Sequence, residues 1–258
     1  MKHLIILYCA IGIIITSCSS AGDIPLDSSK IQSLTKAEEL LESTIKAHGG
    51  SLYDTAGYSF EFRDKTYTFK NNGPYFKYTL GKVVENDQYY DVLENGEFKR
   101  FINDTLQDLS KIESDKYANS LNSVIYFTTL PHKLGDPAVN VLELEDINLN
   151  GKNYKTLKIA FDQEGGGEDH DDEFLYWINA ATNLIDYFAY SYHTNNGGVR
   201  FRAAYNVRSI DGIIFQDYIN YEAPIGTPLQ SLPELFEKGS LKELSRIETE
   251  NVESFNNN

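Results

Sequence analysis

The sequence predicts a mainly β protein of the α+β class: a strongly curved antiparallel sheet or half-barrel of about eleven strands with helices on its concave side. Two observations support this fold. Apolar and aromatic residues alternate with polar ones through residues 57–103 and again through 140–221. Short turns rich in Asn and Gly separate the alternating segments, and such turns join antiparallel neighbours because parallel strands need long crossovers.

Composition excludes several classes of protein. The 258-residue chain carries a formal net charge of -15, so no nucleic-acid partner is expected, because nonspecific binding to phosphates needs clustered positive charge. With 18 Tyr, 14 Phe and a hydrophobic content of 41%, the chain is too apolar to remain disordered. We therefore expect a sizeable core.

The first 18 residues predict export and lipid attachment. Residues 4–15 form an apolar run that is shorter than the roughly 20 residues a helix needs to cross a bilayer. The run leads to Ser17 and Cys18, an arrangement that resembles the lipobox of bacterial lipoproteins. We predict a signal peptide over 1–17 and a lipid on Cys18 that anchors the exported protein to the cell envelope. The outer membrane of a gram-negative bacterium is the expected location, and an ordinary secretory signal is the alternative.

A polar tether is predicted over 18–33, and the first helix follows it. Thr35 and Glu38 form a capping box, and apolar residues recur at helical spacing until a Gly-Gly pair ends the helix after His48. Because His48 lies on the apolar face of this helix, we expect it to be packed in the interior or bonded to a carbonyl at the helix end.

Strands and one further helix make up the rest of the predicted domain. About five strands are expected over 57–103, where the pair Asn95 and Gly96 is typical of a type I′ hairpin turn. A helix over 110–130 ends at Pro131, and because its last turns are apolar on every side, other elements must cover it. About six more strands follow.

The sequence contains no linker that would divide the folded part in two. We predict one domain over 34–222 and a polar C-terminal extension over 223–258. Two short helical starts, at 231–234 and 240–243, are expected within that extension.

This order of elements resembles the lipoprotein-localisation-factor (LolA/LolB-like) architecture. Residues 47–50, 122–127 and 171–192 are similar to segments of an uncharacterised family of bacterial lipoproteins often grouped with it, and the resemblance covers about residues 35–222. It implies a half-open antiparallel barrel around helices, with an apolar cavity that binds acyl chains non-covalently. With a lipid on Cys18, the chain is more similar to the membrane-bound acceptor of that system than to its soluble carrier.

The densest polar cluster is the segment 164–173, which contains six acids and His170. If the two strands after it form a tight hairpin, His170 falls opposite His193, with Asp172 on the same face of the sheet. Two imidazoles and one carboxylate with open positions suit zinc or iron. The hypothesis is a divalent-metal site of His170, Asp172 and His193, and the alternative is a solvated acidic loop that binds no metal.

The same register predicts where two arginines lie. It sets Asp172 opposite Ser191, and the following hairpin then sets Ser191 beside Arg200 and Ala189 beside Arg202. We predict that Arg200 and Arg202 meet an anionic ligand group. The alternative is a surface patch whose acids and bases pair with one another.

Aromatic residues on the same strands are candidates for a cavity wall. Tyr176, Trp177 and Phe188 are the residues proposed, and a filled core is the alternative. Both faces of the segment 175–192 are apolar, which a sheet with one solvated face would not need, so an apolar ligand is expected between sheet and helices.

Two classes of function follow from these features, with a third left open. The favoured one is an anchored lipoprotein that binds a lipid-like or other apolar ligand. The alternatives are a metal-dependent enzyme that uses His170, Asp172 and His193, and a structural or interaction lipoprotein. Because the sequence has no Gly-x-Ser-x-Gly and no His-Glu-x-x-His, a binding protein is favoured over an enzyme. No cofactor is predicted apart from the metal of that alternative, and the protein partner is not determined.

Overall fold

The structure is a computed structural model that describes residues 34–162, 172–193 and 196–255. The helices are α1 (Lys36–Ala47), α2 (Lys111–Thr128) and α3 (Leu232–Glu237). The strands are β1 (Gly57–Phe62), β2 (Lys65–Asn72), β3 (Tyr75–Val84), β4 (Asp87–Glu94), β5 (Glu97–Ile102), β6 (Thr105–Leu106), β7 (Val139–Leu149), β8 (Lys152–Phe161), β9 (Glu173–Asn179), β10 (Ile185–Tyr192), β11 (Gly198–Ile210), β12 (Ile213–Ala223), β13 (Lys242–Ile247) and β14 (Glu250–Ser254). None of the helices described is both long and apolar enough to cross a membrane.

These strands form two antiparallel sheets of seven strands each. The first sheet has the order β14-β1-β2-β3-β4-β5-β6, and the second has the order β13-β12-β11-β10-β9-β8-β7. The predicted antiparallel, mainly β class is confirmed. The single curved sheet of about eleven strands is wrong, and neither sheet closes on itself. Tight hairpins determine only which consecutive strands pair. Helix α2 lies between β6 and β7, and the chain begins a second sheet after this helix.

Helix α2 packs against both sheets. On one side, Leu121 and Ile125 lie in a core with Tyr58 and Phe60 of the first sheet. On the other side, Phe127 stacks on Phe188 of the second sheet, with ring centroids 5.9 Å apart. The expectation that other elements cover the apolar last turns of this helix is confirmed.

Helix α1 begins and ends as its sequence predicts. The backbone amide of Glu38 donates to Thr35 Oγ1 at 3.3 Å, and the amide of Thr35 donates to Glu38 Oε2 at 2.6 Å, which is the predicted capping box. At the other end, His48 is buried, and its Nδ1 lies 2.8 Å from the carbonyl oxygen of Thr44. The predicted role of His48 as a packed, carbonyl-bonding histidine is confirmed.

Residues 223–255, predicted as a polar extension, contribute an edge strand to each sheet. Strand β13 pairs with β12, and β14 pairs with β1. The predicted helical start at 231–234 is confirmed by α3. The second one, at 240–243, is wrong, because this segment leads into β13 and its backbone pairs with an exposed sheet edge instead.

Helix α3 covers the face of the second sheet that points away from α1 and α2. Leu232 is completely buried in a core with Trp177 and Phe201, and Phe236 packs against the same core. Both faces of the second sheet are therefore apolar because protein covers each of them. The two-sided apolar pattern of 175–192 consequently needs no ligand to explain it.

Candidate functional site

A partly open cavity of about 250 Å³ lies between helix α2, the second sheet and the turn after β1. Part of its wall is apolar and is formed by Phe62, Val124, Phe127 and Ile247. These residues come from three different elements of the chain, β1, α2 and β13. The cavity is thus assembled by tertiary packing and not by one local segment.

The second sheet supplies the polar side of the cavity. Side chains alternate between the two faces of a strand, so residues two apart on β12 face the cavity together, namely Gln216, Tyr218 and Asn220. Arg202 on β11 lies directly opposite Asn220 in the antiparallel ladder and lines the same space. This run of polar side chains at alternate positions of β12 is the signal by which sequence reasoning could have found the site.

Arg202 is the buried charge of this cavity. Arg202 is only 7% exposed, and its Nη2 donates to the hydroxyl of Tyr190 at 2.9 Å. The guanidinium carbon lies 4.1 Å from the ring centroid of Phe127 and 5.2 Å from that of Phe188. Within the described part of the chain, its Nε and Nη1 atoms are buried without a hydrogen-bond partner. No carboxylate therefore neutralises this guanidinium by hydrogen bonding there.

A hydrogen-bonded network behind the cavity connects it to helix α1. Gln216 donates from its Nε2 to the carbonyl of Ile185 at 3.2 Å, and its Oε1 lies 3.2 Å from Nε2 of His48. The hydroxyl of Tyr218 donates to the same Oε1 at 3.4 Å. Burial raises the pKa of Tyr218 above its ordinary value, so this phenol is neutral near pH 7.

The lining carries a charge opposite to that of the whole protein. Arg63 and Arg202 both line the cavity, and none of the described lining residues is Asp or Glu. The chain nevertheless contains 38 acids and has a net charge of -15. The described lining therefore has a positive formal charge within an acidic chain.

The three predicted cavity-wall residues lie in packed cores and are absent from the described lining. Tyr176 and Phe188 stack on one another, with ring centroids 5.6 Å apart, and both are fully buried. Trp177 lies on the opposite face of the second sheet, beneath α3, and contacts Phe201.

Of the two predicted anion-binding arginines, the structure brings only Arg202 to the cavity. Arg200 lies two residues away on β11 and donates to the hydroxyl of Tyr192 at 2.7 Å. Sequence reasoning missed Phe127, Tyr190 and Asn220, which surround Arg202.

The registers on which these predictions rested are shifted by one residue. Phe188 pairs with Arg202 and Tyr190 with Arg200, so the predicted pairings of Ala189 and Ser191 with these arginines are wrong. Ser191 pairs with Glu173, and its predicted pairing with Asp172 is therefore also wrong. One shift arises at an irregularity of the β9–β10 pair, and the other arises because the loop before β11 has an odd length.

Two of the three predicted metal ligands lie near one another. His193 Nδ1 is 3.6 Å from Asp172 Oδ1, and the His193 side chain is 75% exposed. His170 lies outside the described residues. Within those residues, no group of three His, Cys, Asp or Glu side chains converges on one point. The metal site stays a prediction.

The fold and the site define a two-sheet antiparallel β protein with a partly open cavity, which is lined by the buried side chain of Arg202. The chain belongs to a family of unknown function (DUF6503), which matches residues 31–249. A search of the curated proteins found no match.

Similar solved structures include two bacterial proteins. One is a LolA superfamily protein from Nitrosomonas europaea, at 10% identity, covering 85% of this chain and 94% of that chain with a TM-score of 0.49. The other is a DUF1329 family protein from Desulfovibrio piger, at 11% identity, covering 87% and 95% with a TM-score of 0.45. The expectation of an uncharacterised family is confirmed by the family match, and the LolA/LolB-like resemblance stays a prediction.

Proposed function

We propose that this protein is an exported lipoprotein, anchored to the cell envelope by a lipid on Cys18, that binds a lipid-like ligand non-covalently in the cavity beside α2. The observation that carries the proposal is the cavity itself, a partly open space of about 250 Å³ with apolar side chains along one wall and polar ones along another. Protein interiors are normally packed without such spaces. A ligand with an apolar part and a polar end matches both walls.

The size of the cavity limits the ligand. Small-molecule sites usually measure about 300–1,000 Å³, so this space accommodates one short chain or the end of a longer one. Each methylene group that leaves water for an apolar wall contributes about 0.8 kcal/mol. Several methylenes beside Phe62, Val124 and Phe127 are therefore enough for reversible binding in the cavity.

Filling the cavity tests this proposal. Val124 lines the space, so Val124→Trp should displace the ligand, whereas Ile112→Trp on the exposed side of the same helix should not. Each protein is purified from its native membrane, its folding is checked by circular dichroism, and the lipids released on denaturation are identified by mass spectrometry. We expect a stoichiometric lipid from wild type and Ile112→Trp, and its loss from folded Val124→Trp. Equal release from all three proteins would contradict the proposal.

The anchor is tested separately, because residues 1–33 lie outside the described part of the chain. Growth with labelled palmitate should label the wild-type protein and leave Cys18→Ala unlabelled. A labelled Cys18→Ala protein would show that lipid is attached at another residue and would contradict the proposed anchor. The membrane fraction that retains the label identifies the location, for which the outer membrane is proposed.

A metal-dependent enzyme is the second candidate, and the proximity of Asp172 to His193 favours it. A metal at these residues and His170 would lower the pKa of a bound water molecule and so supply a nucleophile. Elemental analysis of the purified protein, compared with His170→Ala and His193→Ala, tests the site. A metal bound by wild type and lost from both variants is expected, and a metal-free wild type would remove this candidate.

A further inference from the structure

We propose that the ligand of this cavity carries a terminal oxyanion on its apolar chain, and that Arg202 binds that group. The inference rests on the proposed function, since it assigns the chemical class of the ligand that the cavity would hold. Among the described residues, Arg202 differs in one respect from another buried arginine of the same fold.

Arg100 shows how this protein neutralises a buried guanidinium. It is 9% exposed, and its Nε and Nη2 each donate to a carboxylate oxygen of Asp91 at 2.6 Å. Arg202 is equally buried, yet its Nη2 bonds only the neutral hydroxyl of Tyr190, and its other two nitrogens have no partner within the described part of the chain. A buried cation without a counter-charge is unfavourable, because burial removes the water that would otherwise solvate it.

Contacts with aromatic rings compensate for only part of this cost. The faces of Phe127 and Phe188 attract the guanidinium through their quadrupoles, but they accept no conventional hydrogen bond from it. A carboxylate or phosphate in the cavity would supply both the negative charge and the missing acceptors, in the geometry that arginine favours. A polar head group would therefore lie beside this cation, on the polar side of the cavity.

Asn220 supplies a second polar group for the same head. It lies opposite Arg202 in the ladder and lines the cavity, and its Oδ1 is buried without a partner among the described residues. Its Nδ2 donates to Ser245 Oγ at 3.3 Å. Rotation of the amide by half a turn exchanges these atoms, so that Ser245 donates to the oxygen and an N–H faces the bound anion.

Binding of matched amphiphiles tests the proposal. The full-length lipidated protein is held in phosphatidylcholine nanodiscs, and equilibrium dialysis measures binding of decanoate, decyl phosphate and decanol against empty nanodiscs. These probes share one chain length and differ in the head group. Acetate and inorganic phosphate test the head group without a chain. Arg202→Met removes the cation, and Arg200→Met removes the same charge from the same strand outside the described lining.

We expect wild type to bind decanoate or decyl phosphate at least about tenfold more tightly than decanol, as a hydrogen bond to a charged group implies. Which of the two anions binds more tightly identifies the head group as a carboxylate or a phosphate. Arg202→Met should lose this preference for the anions over decanol, Arg202→Lys should keep part of it, and Arg200→Met should keep all of it.

Three results would overturn the proposal. Equal binding of decanol and both anions by wild type would show that the cavity ignores charge while still binding apolar chains. An equal loss of preference in Arg200→Met would assign the effect to net charge. Acetate or phosphate that binds as tightly as the amphiphiles would assign the site to a free anion.

Binding of no probe at all would instead contradict the proposed function. The wild-type comparison stands even if Arg202→Met fails to fold, which circular dichroism would reveal.

Discussion

The guanidinium of Arg202 lies over the ring of Phe127, with 4.1 Å between the guanidinium carbon and the ring centroid. This contact joins the second sheet to helix α2 at the wall of the cavity. It brings a cation against an aromatic face in a place where no acid of the described lining balances the charge. Two substitutions at this contact are expected to have different effects on stability.

We expect Phe127→Ala to lower the free energy of unfolding by about 3 kcal/mol, because it removes a large side chain that stacks on Phe188 and Tyr190. Arg202→Met should change that free energy by less than about 1 kcal/mol or raise it, because relief from an unpaired buried charge offsets the lost contacts. Denaturation by urea, followed by circular dichroism, measures both. A larger loss for Arg202→Met than for Phe127→Ala would show that Arg202 is primarily structural.

The buried ion pair of the first sheet provides a second prediction. Asp91 accepts two hydrogen bonds from Arg100, whose pKa is raised by them, and the guanidinium lies 3.5 Å from the ring centroid of Tyr117 on α2. Asp91→Ala should cost about 3–5 kcal/mol, because it leaves the cation buried and unpaired. The exposed pair of Lys111 and Asp115 is the control, and Asp115→Ala should cost less than about 1 kcal/mol. Equal costs in urea denaturation would contradict the argument.

The C-terminal segment is expected to be essential for folding. Leu232 on α3 is completely buried against the second sheet, so Leu232→Ala should lower the free energy of unfolding by about 2–5 kcal/mol. Leu244 on β13 is 44% exposed, and Leu244→Ala should have an effect of about 0.5 kcal/mol or less. Thermal unfolding of the two variants measures the difference. A neutral Leu232→Ala would show that residues 223–255 are a separable extension after all.

A pH dependence of stability is expected from His48. Burial lowers the pKa of His48 below 6.5, although its hydrogen bonds to Thr44 and Gln216 and the charge of Asp186 oppose this shift. The unfolded chain then binds a proton below about pH 6.5 that the folded chain does not bind. Stability should therefore fall as the pH falls below 6.5, by at most about 1.4 kcal/mol per pH unit for this group.

The variant His48→Gln tests that assignment, because it removes the titrating group. Urea denaturation between pH 5.5 and 7.5 should show a flatter dependence for His48→Gln than for wild type. Burial also lowers the pKa of His132, which stacks on Tyr53, so part of the slope should persist in the variant. An unchanged slope in His48→Gln would assign the dependence to other groups.

Local features of the fold were predictable because they depend on neighbouring residues. Thr35 and Glu38 cap a helix through contacts three residues apart. Asn95 and Gly96 adopt positive φ angles of 49° and 87°, which a type I′ turn requires. Each of these signals lies within one turn of the chain, so no other part of the molecule is needed to interpret it.

The candidate site was only partly predictable. Arg202 was predicted to meet an anionic group and does line the cavity, but its predicted partners were wrong by one position in the ladder. The irregularity between Ile185 and Tyr187 has no clear counterpart in the sequence, and a shift of one residue moves every side chain beyond it to a new neighbour. Residues from α2 and from the turn after β1 reach the cavity through long-range packing, which no periodic pattern describes.

The sequence by itself determined the antiparallel β class, the capped helices, the hairpin turns and the prediction of a lipid on Cys18. Alternation, capping and turn chemistry act between residues that are close along the chain. Only the tertiary structure decided that the strands form two sheets, that α3 covers the outer face of the second sheet, and that Arg202 is buried without a hydrogen bond to an acid among the described residues. Whether a buried charge has a partner depends on which distant side chains pack around it, and this is why the cavity became evident only in the folded protein.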